Sequence, residues 1–383
     1  MAPNSKQNIS ILCISLGSGG AEKVISLLLK KLVHNYNVYL VIFYDEVHFP
    51  IPEDVNVIVL SNKGPDRPFY LKIIDAYKFI IKYYRLVKTE HIAISVSFLA
   101  FPNLINGIIS TFNKKVKTII SERGFPSDNV SSKLSLYISK LFYPIFYNRC
   151  DKLFSNSVHI NRDLKDNFGV DIPMEVIYNP IETPKSLIDS EKLNTSVDTL
   201  KVITAGSLIK RKNQIMVIRA INESAFNYNF SILGSGDLKD YLQNEINKFQ
   251  LEGSIALIGK VKNVNDYLVD SQCFVLSSFT EGFPNALIEA MAMGLPSIST
   301  NCLSGPLELL NENNEVNINN GEFFIAKYGL LVNNDDDIGL SKALDYFHNN
   351  PKQREKFSKL SLQRSKDYEL KSIYKKFNFF IQN

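Results

Sequence analysis

Short, almost wholly apolar runs alternate with helix-period segments along the first half of the chain. NISILCISL is followed by AEKVISLLLKKLVHN, NVYLVIFY and VNVIVL, a long helical segment, IAISVSF, another helix, VKTIISE and DKLFSNS. Strands apolar on both faces belong to a parallel sheet covered by helices on each side. The pattern predicts a doubly wound α/β domain. A polar stretch without strong period, Thr183 to Asp198, follows VIYNPIE, and the same grammar then restarts: LKVITAG, a helix, NYNFSILG, a helix, SIALIG, a helix, CFVLSS, PNALIEAMAMG and PSIST. The expected organisation is therefore a first Rossmann-like domain over 1–183, a linker over 184–199 and a second such domain over 200–365. A C-terminal helix, 366–383, is expected to pack back on the first domain. Ligands of such sheets bind outside the carboxyl ends of the strands, so the two domains are expected to face a central cleft.

The densest local chemistry is SSFTEGFPNALIEAMAMGLP, from Ser277 to Pro296. Pro284 suits a first helical turn, Gly294 a C-cap and Pro296 a stop beyond it. A helix that opens directly after a strand points its N–H groups, at about Phe283, Asn285 and Ala286, out of the carboxyl rim, where they favour an anion or a sugar hydroxyl. Glu281 and Glu289 flank that opening at E-x7-E spacing and can serve different parts of one extended ligand. On the residues alone two readings stand: Glu281 as a solvated cap with Glu289 paired to a lysine, or both as ligand-binding carboxylates. A second strand-to-helix turn, Gly206-Ser207-Leu208-Ile209-Lys210-Arg211-Lys212-Asn213, carries three adjacent cations on the same rim and suits a diphosphate.

Two glycine turns end strands without completing a dinucleotide fingerprint. Gly17-Ser18-Gly19-Gly20-Ala21-Glu22 has Glu22 where the third glycine would stand, and Gly234-Ser235-Gly236 has Lys239 there. No phosphate-loop lysine motif occurs either. The acidic run Asp335-Asp336-Asp337 reads as a helix N-cap and not as a metal site.

Composition enters by exclusion. A chain of 383 residues exceeds what a single core sustains. Its 43 Lys and Arg against 39 Asp and Glu leave a net charge of only +4, too mild for a nucleic-acid binder. Cys13, Cys150, Cys273 and Cys302 form no metal-ligating cluster and read as buried thiols of a reducing cytoplasm. The N-terminal apolar run is short and ends at glycines, so no export is expected. Ile92 to Phe112 carries no charge over roughly a bilayer's length, but it divides into strand, loop and helix and is expected not to span. The helical segment Tyr70 to Lys88 mixes aromatics with cations, and Lys78, Lys82 and Arg85 share one face. That face suits either water or anionic headgroups and a lipid diphosphate. The aromatic segment Lys133 to Arg149 reads as a core helix kinked at Pro144 or as an interfacial contact.

Taken together, the tandem α/β halves, GSGGAEK, GSLIKRKN, FSILGSGD, ALIGKV and SSFTEGFPNALIEAMAMGLPSIST resemble the retaining glycosyltransferases of family four, of GT-B fold, over nearly the whole chain. The likeness is nearest to bacterial enzymes that extend polyprenyl-diphosphate-linked oligosaccharides, notably N-acetylgalactosaminyl transferases. The resemblance implies that Glu281 contacts the donor sugar and that backbone from Gly282 through Phe283, Pro284, Asn285 and Ala286 to Leu287 meets sugar and diphosphate. It implies that Glu289 holds the ribose hydroxyls and Lys212 the diphosphate, with Gly206 and Gly234 at the strand-end turns and Lys260 and Val261 near the base. Gly19, Gly20 and Glu22 would line the opposite wall, and Glu122 would orient the acceptor. Two positions depart from the family: Ser207 stands where arginine is usual, with Lys210 or Arg211 as substitutes, and Arg123 follows Glu122 where relatives often have histidine.

The expected activity is transfer of a hexose, such as N-acetylgalactosamine, from a UDP-sugar to a polyprenyl-diphosphate-linked glycan in surface polysaccharide or glycoprotein assembly. No metal or other cofactor and no nucleic acid is expected. The expected location is the inner face of the cytoplasmic membrane, held peripherally. The alternatives are a UDP-sugar epimerase or hydrolase of the same fold and a noncatalytic nucleotide-sugar binder. A nicotinamide-dependent oxidoreductase is disfavoured by both failed glycine fingerprints.

Overall fold

Val, Ile, Leu and Phe fill both faces of the central strands, and the structure, a computed structural model, stacks them into two seven-stranded sheets. It describes residues 6–128 and 133–383, without the Lys133 side chain, so the first five residues of the N-terminal stretch lie outside it. The chain divides into two units, 1–180 with 370–383, and 181–369.

In the first unit β1 (Gln7–Cys13), β2 (Tyr36–Tyr44), β3 (Val55–Ser61), β4 (Ile94–Phe98), β5 (Lys117–Glu122), β6 (Lys152–Ser155) and β7 (Met174–Val176) lie in the order β3-β2-β1-β4-β5-β6-β7, every pair parallel. The helices are α1 (Gly20–Asn35), α2 (Phe69–Thr89), α3 (Ala100–Phe112), α4 (Lys133–Tyr147) and α5 (Val158–Phe168). The order reverses between β1 and β4, which opens a crevice at their carboxyl ends. Right-handed crossovers put α1 on one face of the sheet and α2 to α5 on the other.

The uncharged stretch forms β4 and α3. Its polar side chains satisfy one another under the helices: Ser95 Oγ donates to Asn106 Oδ1 (2.7 Å) and Ser97 Oγ to Asn103 Oδ1 (2.8 Å). No helix among the described residues is long and apolar enough to cross a membrane.

The second unit holds β8 (Thr199–Ala205), β9 (Asn227–Leu233), β10 (Ile255–Gly259), β11 (Cys273–Leu276), β12 (Ser297–Thr300), β13 (Phe323–Ile325) and β14 (Leu330–Val332), in the order β10-β9-β8-β11-β12-β14-β13. Only the edge strand β13 runs antiparallel. Around this sheet pack α6 (Gln214–Glu223), α7 (Lys239–Lys248), α8 (Val264–Val269), α9 (Asn285–Met293), α10 (Pro306–Asn311), α11 (Asp337–Asn349) and α12 (Pro351–Ser365). Here the reversal falls between β8 and β11.

The units meet at Pro180–Ile181 rather than at 183. The polar stretch 184–199 is not a free connection, because it is pinned to the second unit: the wholly buried Arg354 donates through NH2 to the Thr195 carbonyl (2.6 Å), and the Ile188 N–H to Met293 O (2.8 Å). The last helix, α13 (Leu370–Gln382), belongs to the first unit, where Phe377 and Phe380 set their rings against Phe154. All four cysteines are buried and unbridged.

Candidate functional site

The two turns singled out in the second half follow β8 and β11, the neighbouring strands at which that sheet reverses. After β8 the chain makes one tight turn over Lys210–Lys212, and Asn213, in the left-handed region at φ 48°, releases it into α6. After β11 it runs through Ser277–Gly282 into α9. Backbone and side chains lock the turns together: the Phe279 N–H donates to Arg211 O (2.8 Å), Ser277 Oγ to Lys212 O (2.9 Å) and Arg211 NH1 to Thr280 O (2.9 Å).

At the junction Glu281 is buried, 5% exposed, and is not the solvated cap that one reading allowed. Lys212 Nζ reaches its Oε1 at 2.5 Å, Arg211 NH1 its Oε2 at 3.2 Å, and Ser278 Oγ donates to Oε1 at 2.6 Å. Burial alone would raise the Glu281 carboxyl, but Lys212, then Arg211, outweigh it and hold the group below the usual carboxylate range. The ion pair therefore persists at neutral pH. Arg211, and not the exposed Ser207, brings the second cation to this carboxylate.

Glycines make the approach of the turns possible. Gly206 lies over the Lys212 stem, and Gly234, at φ 138°, sits so close beneath Gly206 that a Cβ would meet its carbonyl oxygen. Gly236 is packed in the same way against the Leu208 carbonyl. These glycines serve close backbone approach, the role that the failed dinucleotide fingerprints left open. Lys260 and Val261 follow β10, farther along the same rim, joined to it through the Gly234 N–H bond to Gly259 O (2.8 Å).

The helix α9 starts at Asn285, so Pro284 is its N-cap and not a first-turn residue. Gly282, Phe283, Pro284 and Leu287 are buried, while Asn285, Ala286 and Glu289 are half-buried along the opening. The positive end of the helix lies within a few residues of Glu281, where it favours negative charge. Asp336 caps α11, accepting from the Gly339 N–H (2.8 Å).

Three contributors escaped the reading of the sequence. Ser278 donates to the buried carboxylate; Thr300 Oγ1 holds the Ser278 carbonyl (2.6 Å); Ser304 Oγ donates to Glu281 O (3.0 Å) and Gly282 O (2.7 Å). Ser278 stands inside the motif already noted. Ser304 had a weaker signal, a glycine turn, SGP, after the strand PSIST.

In the first unit the Gly19–Gly20 turn follows β1 and opens α1, and the Glu22 side chain folds back over Gly19. Burial first, and Glu46 as well, raise the Glu22 carboxyl. Glu122 ends β5, almost wholly buried, and accepts from Tyr147 OH (3.1 Å). The Arg123 guanidinium packs against the rings of both Phe98 and Phe154, which also touch each other edge to face, and donates through NH1 to Asn179 Oδ1 (2.9 Å). Burial pushes Glu122 up to about 7 and Arg123 down to about 9. Tyr147 and Asn179 are remote in sequence from both, so no local pattern announced them. Lys78, Lys82 and Arg85 are not gathered at this rim. They stand on α2 about 14 to 24 Å from its start, exposed, with Lys82 Nζ bonded to Leu60 O (2.5 Å).

Glu122 carries a pH signature. Its folded pKa lies above the ordinary 4.5, so the fold bears no penalty below pH 4.5 and a growing one as pH rises towards 7, constant above that. Glu122→Gln is expected to match wild type in urea melts at pH 4 and to be more stable by up to about 3 kcal/mol at pH 8. Equal midpoints at pH 8 would show that the carboxyl ionises freely in the fold.

Among the described residues no group of three or more His, Cys, Asp or Glu side chains is placed to hold a metal ion.

Comparison with known proteins follows the same division. Residues 186–364 match the family described as glycosyl transferases group 1, and residues 18–185 match glycosyltransferase family 4. The chain is 28% identical over 369 residues to a Campylobacter jejuni enzyme, N-acetylgalactosamine-N,N'-diacetylbacillosaminyl-diphospho-undecaprenol 4-alpha-N-acetylgalactosaminyltransferase, covering 95% of this chain and 96% of that one. A second C. jejuni protein, the GalNAc-alpha-(1->4)-GalNAc-alpha-(1->3)-diNAcBac-PP-undecaprenol alpha-1,4-N-acetyl-D-galactosaminyltransferase, is 27% identical over 95% of each chain. Among solved structures, the apo lipopolysaccharide outer core galactosyltransferase WaaB superposes with a TM-score of 0.75 at 16% identity, over 98% of this chain and 100% of that one. Anabaena HepE in complex with UDP and glucose gives 0.76 at 14% identity, over 98% and 99%.

Proposed function

We propose, from the premise that the chain belongs to the GT-B glycosyltransferases of group 1 and family 4, that it moves a hexose from a UDP-sugar to a polyprenyl-diphosphate-linked saccharide with retention at the anomeric carbon. The observation that carries this reading is the meeting of Lys212, Arg211 and Glu281 at the reversal point of the second sheet, beside the start of α9. The acceptor class rests on the two C. jejuni relatives, whose names specify undecaprenyl-diphosphate-linked glycans. The UDP donor is supported by the neighbour bound to UDP and glucose.

In this reading the leaving diphosphate gains charge as the glycosidic bond breaks. Lys212, Arg211 and the positive end of α9 receive it, so two fixed cations and a helix dipole supply the stabilisation without a resident metal. Glu281, held ionised by its partners, orients the sugar hydroxyls, and Glu289 takes the ribose hydroxyls. Glu281 is tied up by Lys212, Arg211 and Ser278, which favours front-face attack by the acceptor over a covalent glycosyl intermediate. Glu122, ending β5 in the first unit, orients the acceptor. The enzyme works from the cytoplasmic side of the membrane that holds its acceptor.

Mass spectrometry of a short polyprenyl-diphosphate-linked saccharide, incubated with the enzyme and a panel of UDP-sugars with and without chelator, tests this. The expected product is heavier by one sugar and insensitive to chelator. Free sugar, an epimerised donor or bound donor without turnover would each replace transfer by one of the alternatives. Glu289→Ala is expected to weaken UDP binding about tenfold by calorimetry, the loss of one charge-assisted hydrogen bond, with an unchanged melt.

A further inference from the structure

Four consecutive residues, Asn333-Asn334-Asp335-Asp336, join β14 to α11, and each side chain holds a different part of the second unit. The outer two fix the loop itself. Asn333 Nδ2 donates to Ile318 O (2.9 Å), and the buried Asp336 accepts from the Gly321 N–H (2.7 Å) as well as from that of Gly339 in the first turn of α11. Within the acidic run, Asp336 is thus the residue that caps the helix. Asp335 has another task.

The inner two residues reach the site. Asn334 Nδ2 donates to Phe279 O in the turn after β11 (3.1 Å), and Asp335 Oδ1 accepts from Asn213 Nδ2 at the end of the turn after β8 (3.0 Å). Arg219 of α6 reaches the same oxygen at 3.3 Å and Asp337 at 3.9 Å. In the sheet order β14 lies two strands beyond β11 and three beyond β8, so its loop crosses the carboxyl rim to touch both turns.

Both fastened residues adjoin the cations. Asn213 follows Lys212 directly, is 4% exposed, and takes a left-handed conformation in which its side chain is tethered to Asp335. Phe279 binds the Arg211 carbonyl through its own N–H, and Asn334 holds the same residue by its carbonyl. The fold gains little from these contacts. The Asp335 and Arg219 side chains are 45% and 35% exposed, and an ion pair so open to water adds little stability. A loop anchored at both ends, with two middle side chains aimed at the two turns of the site, is built to set geometry.

We propose that Asn334 and Asp335 are positioning residues for Lys212 and Arg211, a clasp from a third loop of the rim that fixes the turns after β8 and β11 in the pose in which both cations meet the diphosphate of a sugar nucleotide. They act through Phe279 and Asn213. The inference deepens the donor site proposed above and rests on that reading.

Equilibrium binding of UDP and of uridine to the full-length protein tests it, because uridine has no phosphate for the cations to meet. Asp335→Ala and Asn213→Gly are each expected to weaken UDP about tenfold, the low end of what a hydrogen bond to a charged group contributes. Uridine affinity and melting temperature should not change. Glycine adopts the left-handed conformation freely, so Asn213→Gly removes only the tether. The double variant should therefore bind UDP as weakly as either single one, and not about a hundredfold more weakly than wild type as independent losses would give. Asp335→Asn keeps an oxygen for Asn213 and is expected to restore wild-type affinity, while Asn334→Ala should share the UDP defect. Wild-type UDP affinity in Asp335→Ala would overturn the proposal, as would equal losses for UDP and uridine or multiplied losses in the double variant. Absence of UDP binding by wild type would overturn the donor reading and this inference with it, so the two failures are told apart.

Discussion

Lys212→Ala is expected to lower turnover of the UDP-sugar by about 10²–10³, the usual cost of removing one fixed donor from a developing anion. The same change acts on the fold. Glu281 is 5% exposed and kept ionised by Lys212 first among its cations; without the ammonium it retains Arg211, whose side chain is 44% exposed, and Ser278. Removing one member of a buried pair typically costs about 3–5 kcal/mol because the other charge stays buried. The remaining arginine places Lys212→Ala at or below the lower end of that range. Catalytic and structural losses separate in a double variant: Lys212→Ala with Glu281→Gln removes the orphaned charge, so its melting temperature should recover while turnover stays low. Single-turnover kinetics and thermal melts on the two single variants and the double variant give both quantities. Wild-type turnover in Lys212→Ala would remove this lysine from the chemistry.

The pair has a pH consequence of the opposite sign to that of Glu122. The Glu281 carboxyl is depressed in the fold, so its stabilising contribution is complete above the unfolded value and is lost as pH falls through the folded one. Acid should therefore weaken the second unit at its site while relieving the first unit at Glu122.

The fold was legible because both halves alternate strand and helix periods, and a chain buried on both sides of a sheet has little other way to arrange apolar strands. The meeting of the two turns in the second unit was legible for a local reason: a strand end, a cation run and a helix start are contiguous in sequence, and a doubly wound sheet brings such ends to one rim. What the sequence left open were side-chain choices made across long separations. Arg211, 70 residues before Glu281, joins Lys212 on that carboxylate in place of Ser207. Tyr147 reaches Glu122 from α4, and Asn179 reaches Arg123 from beyond β7. Pairings of this kind depend on strand order and helix rotation, which no periodicity encodes. The division at Pro180 and the docking of 184–199 were hidden for the same reason, since a buried arginine in α12, remote in sequence, holds the polar stretch in place.

Gly234→Ala is expected to damage the second unit more than any other single methyl group near the site. Gly234 has φ 138°, where an L side chain is strained, and its new Cβ would fall closer than 3.0 Å to the Gly206 carbonyl oxygen. Both partners are backbone, so no rotamer change relieves the clash. Backbone strain of this kind costs on the order of 1–3 kcal/mol before any steric term. Gly206 cannot retreat freely, because its N–H is bonded to Leu233 O (2.9 Å) and its Cα faces the Lys212 stem. The displacement therefore reaches Lys212 and the ion pair with Glu281. The expected result is a loss of about 3 kcal/mol or more in urea unfolding, with UDP affinity in the folded fraction reduced at least tenfold, the scale of a displaced charge-assisted contact. Gly64 supplies the control: nothing lies within 4 Å of a Cβ built there, so Gly64→Ala should leave both measurements unchanged. Wild-type UDP affinity in Gly234→Ala would mean that the β8 and β9 turns move independently and that Lys212 is positioned by the β11 turn alone.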